Sequence, residues 1–508
     1  MKRNIQSAGQ TRKLVRELQE LAKCSGQEKP LLVGIDQENG LVSAFSSPDA
    51  GTVFPGAMAL AASGSVELAE EVSCASAREL KMVGINWVYS PVADINTNPK
   101  NPVIGVRSFG DDPDTVAKFA FAVSRGHAAA GVASTGKHFP GHGDTHVDSH
   151  LALPRILKTK KQITQEELKP FKYLIDGGIP SIMTGHMALP LISGDDTPCS
   201  LSKGITTGLL KEELGFEGVV VTDCLEMDAI AEPGQGGCGV PEGAVRAIGA
   251  GADVVMICHT FDEQRRAVEK VWSEVEMGKV SVDRLRESGK RVVKMKDKFV
   301  GNWSEVIGKE DPGWEEEYAR LHARNSELSR EAYLKTTTVE GVIPLDANVL
   351  NGHLLLLTPA MEAVNRAVDS GDGVIQGPDG IIRNTAGASY LALARSLEAR
   401  VKVKHIVFGA QDSIPGDMMD GACAVLFVMR NADIKLWQLD YLERLHLAEA
   451  RVPVILMSSC GPYDLAGGKY GGLGGHIVTY EFTAEAFESA VEVMFGEGRG
   501  GGRLPVRI

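Results

Sequence analysis

From residue 31 to about 280, short apolar runs alternate with segments of helical length. The runs Leu31–Asp36, Ile85–Val92, Gly131–His138, Gly178–His186, Gly218–Asp223 and Ala252–Cys258 are rich in β-branched residues and predict strands. Helical patterns fill the intervals at Gly64–Met82, Asp114–Ala130, Gln162–Asp176 and Lys203–Leu214. Apolar strands bounded by glycine, with helices between them, predict a parallel sheet buried on both faces. Six such units in series, each strand closing on polar residues, predict a TIM-type (β/α) barrel rather than a doubly wound sheet. A dinucleotide-binding sheet would carry a glycine fingerprint after its first strand, and none is present.

The pattern changes near residue 300. Residues 301–335 read as a charged helical linker, interrupted at Gly301-Asn302-Trp303 and Asp311-Pro312-Gly313-Trp314. A second α/β series follows, with strands predicted at Leu354–Thr358, His405–Gly409, Ala422–Met429, Val454–Ser458 and Ile477–Tyr480. The expected division is therefore a barrel over 1–300, the linker over 301–335 and an α/β sandwich over 336–508. The glycine-rich stretch Gly467-Gly468-Lys469-Tyr470-Gly471-Gly472 lacks the spacing of a phosphate loop and opens no evident helix, so it reads as a loop. No repeat of solenoid period is present.

Composition narrows the function classes. The 508 residues are 43% hydrophobic and 23% charged, with a formal charge of −13. That sign disfavours nucleic acid and anionic membrane surfaces, which reward a basic face. No apolar run approaches the ~18 residues of a membrane span. The polar start Met1-Lys2-Arg3-Asn4 has no secretory pattern. Eight cysteines, none in a CxxC pair, fit a reduced cytoplasmic protein.

The strand ends carry the candidate chemistry: Asp36-Gln37-Glu38, Asp94, Lys137-His138, His186 and Asp223. In a barrel these converge on one face. The densest run is Lys137 to His150, which holds His138, His142, His146 and His150 together with Asp144 and Asp148. Spaced by four, the histidines would stack on one side of a helix and suggest a metal. Pro140, Gly141 and Gly143 interrupt any such helix, so neither a metal nor another cofactor is expected. Asp148-Ser149-His150 reads as either an acid/base pair, with the carboxylate holding one ring nitrogen, or a turn stabilised by Asp148. Asp223 ends a strand with no other charge, and is either a helix cap or a group aimed into the barrel mouth.

Lys137 to His150 resembles the KHFPGHGDT-x-x-DSH signature of family 3 glycoside hydrolases of the β-N-acetylglucosaminidase branch. Further matches follow in order: Gly34-Ile35-Asp36-Gln37-Glu38, Phe54-Pro55-Gly56, Asn86 through Pro91-Val92-Ala93-Asp94, Gly105-Val106-Arg107-Ser108-Phe109-Gly110, Met183-Thr184-Gly185-His186, Ser200-Leu201-Ser202, Leu214 to Val220, and Thr222-Asp223-Cys224-Leu225-Glu226-Met227. The tail, Phe495 to Gly498 and Gly502 to Val506, is similar to the ending of the family's C-terminal domain. The resemblance implies a retaining exo-β-N-acetylglucosaminidase acting on glycoconjugates, chitin oligomers or cell-wall fragments. It implies Asp223 as nucleophile and His150 as acid and then base, polarised by Asp148, in place of the usual second carboxylate. Asp36, Arg107, Lys137 and His138 would bind the sugar hydroxyls. A neutral imidazole base also tolerates an incoming phosphate, so a phosphorylase is the alternative, with a non-catalytic sugar-binding relative as another.

Two departures from the family pattern stand out. Ala44 occupies a position where an arginine near the substrate is expected. Family members also carry two strands before the segment matching Leu31–Asp36, so the barrel is expected to lack its first two strands and the sequence to begin late. Restoring upstream residues is expected to improve solubility, because open sheet edges favour aggregation. The oligomeric state is left open by the sequence.

Overall fold

The computed structural model describes residues 4–47, 49–145, 152–233, 237–308, 312–341, 345, 352–361, 386–445, 452–465 and 474–508. Its first half is built on an open parallel sheet. Strand β1 (Gly34–Ile35) runs into a small hairpin of β2 (Gln37–Asn39) and β3 (Val42–Ser43). The sheet continues with β4 (Trp87–Val88), β5 (Ala133–Phe139), β6 (Ser181–Thr184), β7 (Val219–Cys224) and β8 (Val254–Met256). The spatial order is β1-β4-β5-β6-β7-β8, so each strand pairs with the next in the chain. All these pairings are parallel, with Trp87 opposite both Gly34 and Ala133, and Ser181 opposite Val219. That succession is the barrel ordering predicted from the sequence, carried by six strands.

The period-two alternation of strand side chains divides the core. Val220 and Ile182 join Val72, Phe119, Val123, Phe171 and Leu174 from the covering helices. Val219, Val221, Met183, Ala133 and Trp87 point to the other face, where they meet Met295 and Phe299. These last two come from the helix Val282–Phe299, which therefore packs against this face. Burial on both faces is why the strands read as unbroken apolar runs rather than alternating ones.

The predicted helices lie at Val66–Met82, Pro113–Ala129 and Gly204–Glu213, close to their expected ranges. The single helix expected over Gln162–Asp176 is instead two, Lys160–Gln165 and Leu168–Asp176. Pro170 explains the break: its ring would clash with the carbonyl of residue 166 in a continuous helix, but it is tolerated in the first turn of a new one. Glu166 and Glu167, freed by the break, both turn onto Lys158.

The second half holds β9 (Thr338–Gly341), β10 (His353–Pro359), β11 (Val403–Phe408), β12 (Ala422–Met429), β13 (Val454–Ser458) and β14 (Gly475–Val478), in the order β11-β10-β12-β13-β14-β9. The five predicted strands are parallel; β9, which the sequence did not announce, adds antiparallel at the edge. Leu354 and Leu356 face helices Gly387–Glu398 and Ala484–Met494, through Tyr390, Leu393 and Phe487. Leu355 and Leu357 face Tyr441 and Leu442 of Trp437–Arg444. Helices thus cover both faces, which makes a three-layer sandwich. The glycine-rich stretch 467–472 lies outside the described residues.

The halves interlock. The long helix Trp314–Thr336 buries Trp314 and Tyr318 against the apolar cluster of Ile35, Phe45, Leu80 and Val83. Met58, Ala59 and Ala62 pack with Tyr463, Val478, Tyr480 and Val506. Glu481, just past β14, accepts hydrogen bonds from the Gly56 N–H at 3.0 Å, the Tyr333 hydroxyl at 2.5 Å and the Thr483 hydroxyl at 3.0 Å. Gly40 has φ +60, and a Cβ there would lie 2.6 Å from Glu481 Oε2, so only glycine fits this junction.

Candidate active site at the carboxyl ends of the strands

Lys137, fixed by its place on β5, extends into a nest of carboxylates. Its Nζ lies 2.6 Å from Glu38 Oε1 and 3.0 Å from Asp36 Oδ1. Arg107, at the end of the short turn Gly105–Arg107, donates from Nε and Nη2 to the two oxygens of Glu38 at 2.9 and 2.8 Å. A third guanidinium N–H reaches the Val103 carbonyl at 3.1 Å. The Lys137, Glu38 and Arg107 side chains are nearly buried, at 2%, 5% and 6% exposed, whereas Asp36 is 42% exposed. Burial works to raise the Glu38 pKa, but the charges of Arg107 and Lys137 outweigh it and hold the carboxyl at about 2. Burial likewise opposes the charge on Lys137, and Glu38 and Asp36 overturn that effect, so its pKa rises.

His138 is oriented by Asp94. The Asp94 carboxylate is fully buried and accepts from His138 N–H at 3.1 Å, His142 N–H at 2.7 Å and the His138 ring at Nδ1, 2.7 Å. Since a carboxylate only accepts, Nδ1 carries the proton and Nε2 remains for a ligand. Burial raises the Asp94 pKa, but His138 and the surrounding donors lower it overall. The loop beyond β5 is anchored too: Asn101 donates to the carbonyls of His142 and Gly143, and Asn98 to that of Thr145. A Cβ on Gly143 would come within 1.6 Å of the Ile95 carbonyl oxygen, so the loop's path requires glycine here. Burial pushes His142 down to about 4.

Asp223 lies near the end of β7, where its Oδ1 accepts from the Cys224 N–H at 2.7 Å. His186 Nε2 donates to the Cys224 carbonyl at 3.0 Å and its Nδ1 pairs with the Ser200 hydroxyl at 2.8 Å, which ties the β7 end to the segment after β6. Glu226 accepts from three successive backbone N–H groups, those of Cys258, His259 and Thr260, at 2.7, 2.7 and 2.9 Å. These bonds outweigh desolvation and keep its pKa below the usual carboxylate range.

Asp36, Arg107, Lys137, His138 and Asp223 line one cavity of about 320 Å³, with Val42, Val103, Met183, Met227 and Met256 as apolar walls. That volume lies at the small end for ligand sites. A larger cavity, about 670 Å³, sits near Gly84 and Asn86, at the opposite ends of the strands, and contains none of the predicted site residues. Asp148 and His150 lie outside the described residues. Ala44 packs with the Ile35 and Phe45 cluster and does not line the cavity; Val42 does.

The sequence placed Glu38 and Asp94 among the strand-end groups converging on one face but assigned neither a role, which comes from their partners Arg107, Lys137 and His138. The available signal was a buried strand terminating in a carboxylate, which demands a partner. The partners come from distant segments, and no local pattern announces them.

A small cavity with charged groups from several β/α units at the carboxyl ends of parallel strands defines a ligand site of the β/α-barrel class. Residues 1–295 match the family described as the glycosyl hydrolase family 3 N-terminal domain, and the chain belongs to glycosyl hydrolase family 3. The β-hexosaminidase A of Pseudoalteromonas piscicida is 34% identical over 374 residues, which cover 70% of this chain and 61% of that relative. This chain thus spans less than two thirds of that protein. The solved structure of a family 3 β-N-acetylglucosaminidase from Paenibacillus sp. str. FPU-7 is 32% identical, with a TM-score of 0.85, and the match covers 100% of this chain and 92% of that one. A fungal multi-domain family 3 β-N-acetylglucosaminidase, which carries a GCN5-related glucosamine N-acetyltransferase region, is 33% identical with a TM-score of 0.87; the match covers 100% of this chain and 56% of that one.

Proposed function

We propose that the protein is a retaining exo-β-N-acetylglucosaminidase that hydrolyses terminal non-reducing β-N-acetylglucosamine from glycoconjugates, chitin oligomers or cell-wall fragments. The observation that carries this reading is the gathering of Asp36, Arg107, Lys137, His138 and Asp223 around one small cavity. The names of its relatives support the same chemistry.

In the first step the Asp223 carboxylate attacks the anomeric carbon. The glycosidic C–O bond breaks, and the departing oxygen takes a proton from His150, whose imidazolium Asp148 favours. In the second step His150 takes a proton from water, which attacks the same carbon and releases Asp223. The roles of Asp148 and His150 rest on the sequence motif. Lys137 and Arg107, held by Glu38, and His138, held by Asp94, offer oriented donors to sugar hydroxyls at no cost of reorganisation during reaction.

Water is favoured over phosphate as the second-step acceptor. The cavity lining has two fixed cations, Arg107 and Lys137, against the carboxylates of Asp36, Glu38, Asp223, Glu226 and Asp228. A dianion entering there meets net repulsion. The enzyme reading needs no cofactor. Among the described residues no helix is long and apolar enough to cross a membrane; the sparse cysteines support a cytoplasmic placement.

The test is turnover of a chromogenic β-N-acetylglucosaminide by wild type, Asp223→Ala and His150→Ala. Activity is expected in wild type alone, and equal turnover by all three overturns the mechanism. Sugar 1-phosphate formed in phosphate buffer would replace hydrolysis by phosphorolysis.

A further inference from the structure

One wall of the cavity has a cluster that the glycosidase chemistry does not use. Cys224 immediately follows Asp223, and its thiol lies 3.7 Å from Glu226 Oε2. Cys258, two residues beyond the end of β8, brings a second thiol to the same cavity. The Cys224 sulfur, a Glu226 oxygen and a His259 ring nitrogen all fall within 4.8 Å of one another. All four side chains line the cavity.

The plain structural role of Glu226 is to cap the start of the segment after β8, through three backbone N–H groups. That role keeps the carboxylate ionised and fixed. It accounts for neither the two thiols of the cavity nor the imidazole among them. Two thiolates, an imidazole and a carboxylate are the donors that zinc gathers in four-coordinate sites, and the thiols select soft cations over magnesium or calcium. The β7 and β8 ends that supply them are held together by the Leu225 N–H to Met256 carbonyl bond at 2.9 Å.

We propose that Cys224, Glu226, Cys258 and His259 bind a thiophilic divalent cation of the zinc class, and that the bound ion closes the cavity to sugar. The ion displaces the two thiol protons to solvent and binds the thiolates, with no change of oxidation state. Lying beside Asp223, it draws that carboxylate away from an incoming anomeric carbon. The site is therefore inhibitory rather than catalytic. Closure of the cavity rests on the glycosidase reading, whereas metal binding does not.

The experiment uses the full chain, kept reduced with a non-chelating phosphine so that disulfide formation does not contribute. Zn²⁺ is titrated by calorimetry, and Co²⁺ serves as the spectroscopic probe. One ion per chain is expected, with visible absorption of tetrahedral thiolate-bound cobalt. The double variant Cys224→Ala/Cys258→Ala should lose that absorption. His259→Gln, a change at an exposed position, should keep the wild-type unfolding profile and weaken Zn²⁺ binding by about tenfold or more. Absence of the thiolate absorption in reduced wild type, or Zn²⁺ binding unchanged in both variants, overturns the site. Zn²⁺ should also weaken N-acetylglucosamine binding in wild type and leave it unchanged in the double variant. Sugar binding indifferent to Zn²⁺ in wild type overturns the closure, and absence of sugar binding by metal-free wild type overturns the glycosidase reading and the closure together. The cobalt spectrum judges the metal site separately in either case.

Discussion

Glu38 receives a bidentate pair of hydrogen bonds from Arg107, at 2.9 and 2.8 Å, with both side chains almost wholly shielded from solvent. Fork-on-fork geometry of this kind fixes direction as well as distance. The same carboxylate also binds Lys137, so one buried anion compensates two buried cations.

Glu38→Gln tests that dependence. The substitution keeps the shape but leaves Arg107 without its counter-charge and Lys137 with Asp36 alone. Breaking one partner of a buried pair costs about 3–5 kcal/mol. Denaturant unfolding should show a loss of that order, and sugar affinity should fall with it. Because the Glu38 pKa is lowered to about 2, its stabilisation in wild type is present above the ordinary carboxylate value and is lost as pH falls toward 2.

Asp94→Asn should separate orientation from stability. An amide cannot accept from two backbone N–H groups and a ring N–H with the same strength, and charged-acceptor bonds contribute about 1.5–3 kcal/mol each. The larger effect is expected in catalysis, because the tilt of His138 is released. A displacement near 1 Å in a positioning group costs about 10²-fold in rate. Steady-state kcat/KM on a chromogenic β-N-acetylglucosaminide, beside a melting curve, reads both quantities.

Gly143→Ala should damage activity more than folding. The added methyl would meet the Ile95 carbonyl at 1.6 Å, so the loop leaving β5 must move as a unit. An overpacking cost of about 1–3 kcal/mol is expected, together with a fall in kcat. Wild-type kcat in a folded variant would show that this loop's position does not matter to turnover.

Glu481 gives a pH-dependent signature. Burial lifts its pKa to about 7, against its hydrogen-bond donors. Above the ordinary value of 4.5 the unfolded chain releases this proton while the folded chain keeps it, so stability is greatest below that value and declines as pH rises through 7. Glu481→Gln, which cannot titrate, should flatten the slope of stability against pH between about 4.5 and 7, a window worth on the order of 3 kcal/mol. Urea unfolding at several pH values across that window measures the slope.

How far these features were legible in the sequence depends on the range over which each is determined. The β5 and β7 strands were legible because fully buried parallel strands are apolar throughout, as in Val219-Val220-Val221, and their turn-rich ends fix where polar groups emerge. The split between Gln165 and Leu168 was missed because the apolar period runs across it; the breaker, Pro170, acts four residues upstream of itself. The edge strand β9 was missed because Thr-Val-Glu-Gly has no core-facing run. The site followed the same rule. Asp36, Lys137 and Asp223 emerge from local patterns and the family motif, whereas Glu38 acquires its meaning from Arg107, 69 positions away.

The Glu481–Gly56 hydrogen bond spans 425 positions and ends beside Gly40, two residues beyond Glu38. The rim of the second sheet is therefore the floor on which the cavity-lining hairpin stands. A fragment ending near residue 300 would expose the Met58, Ala59 and Ala62 patch and leave that hairpin unsupported, so the two halves are expected to unfold together. Calorimetric unfolding of the whole chain should accordingly give a single transition. Separately expressed halves should regain activity only when mixed.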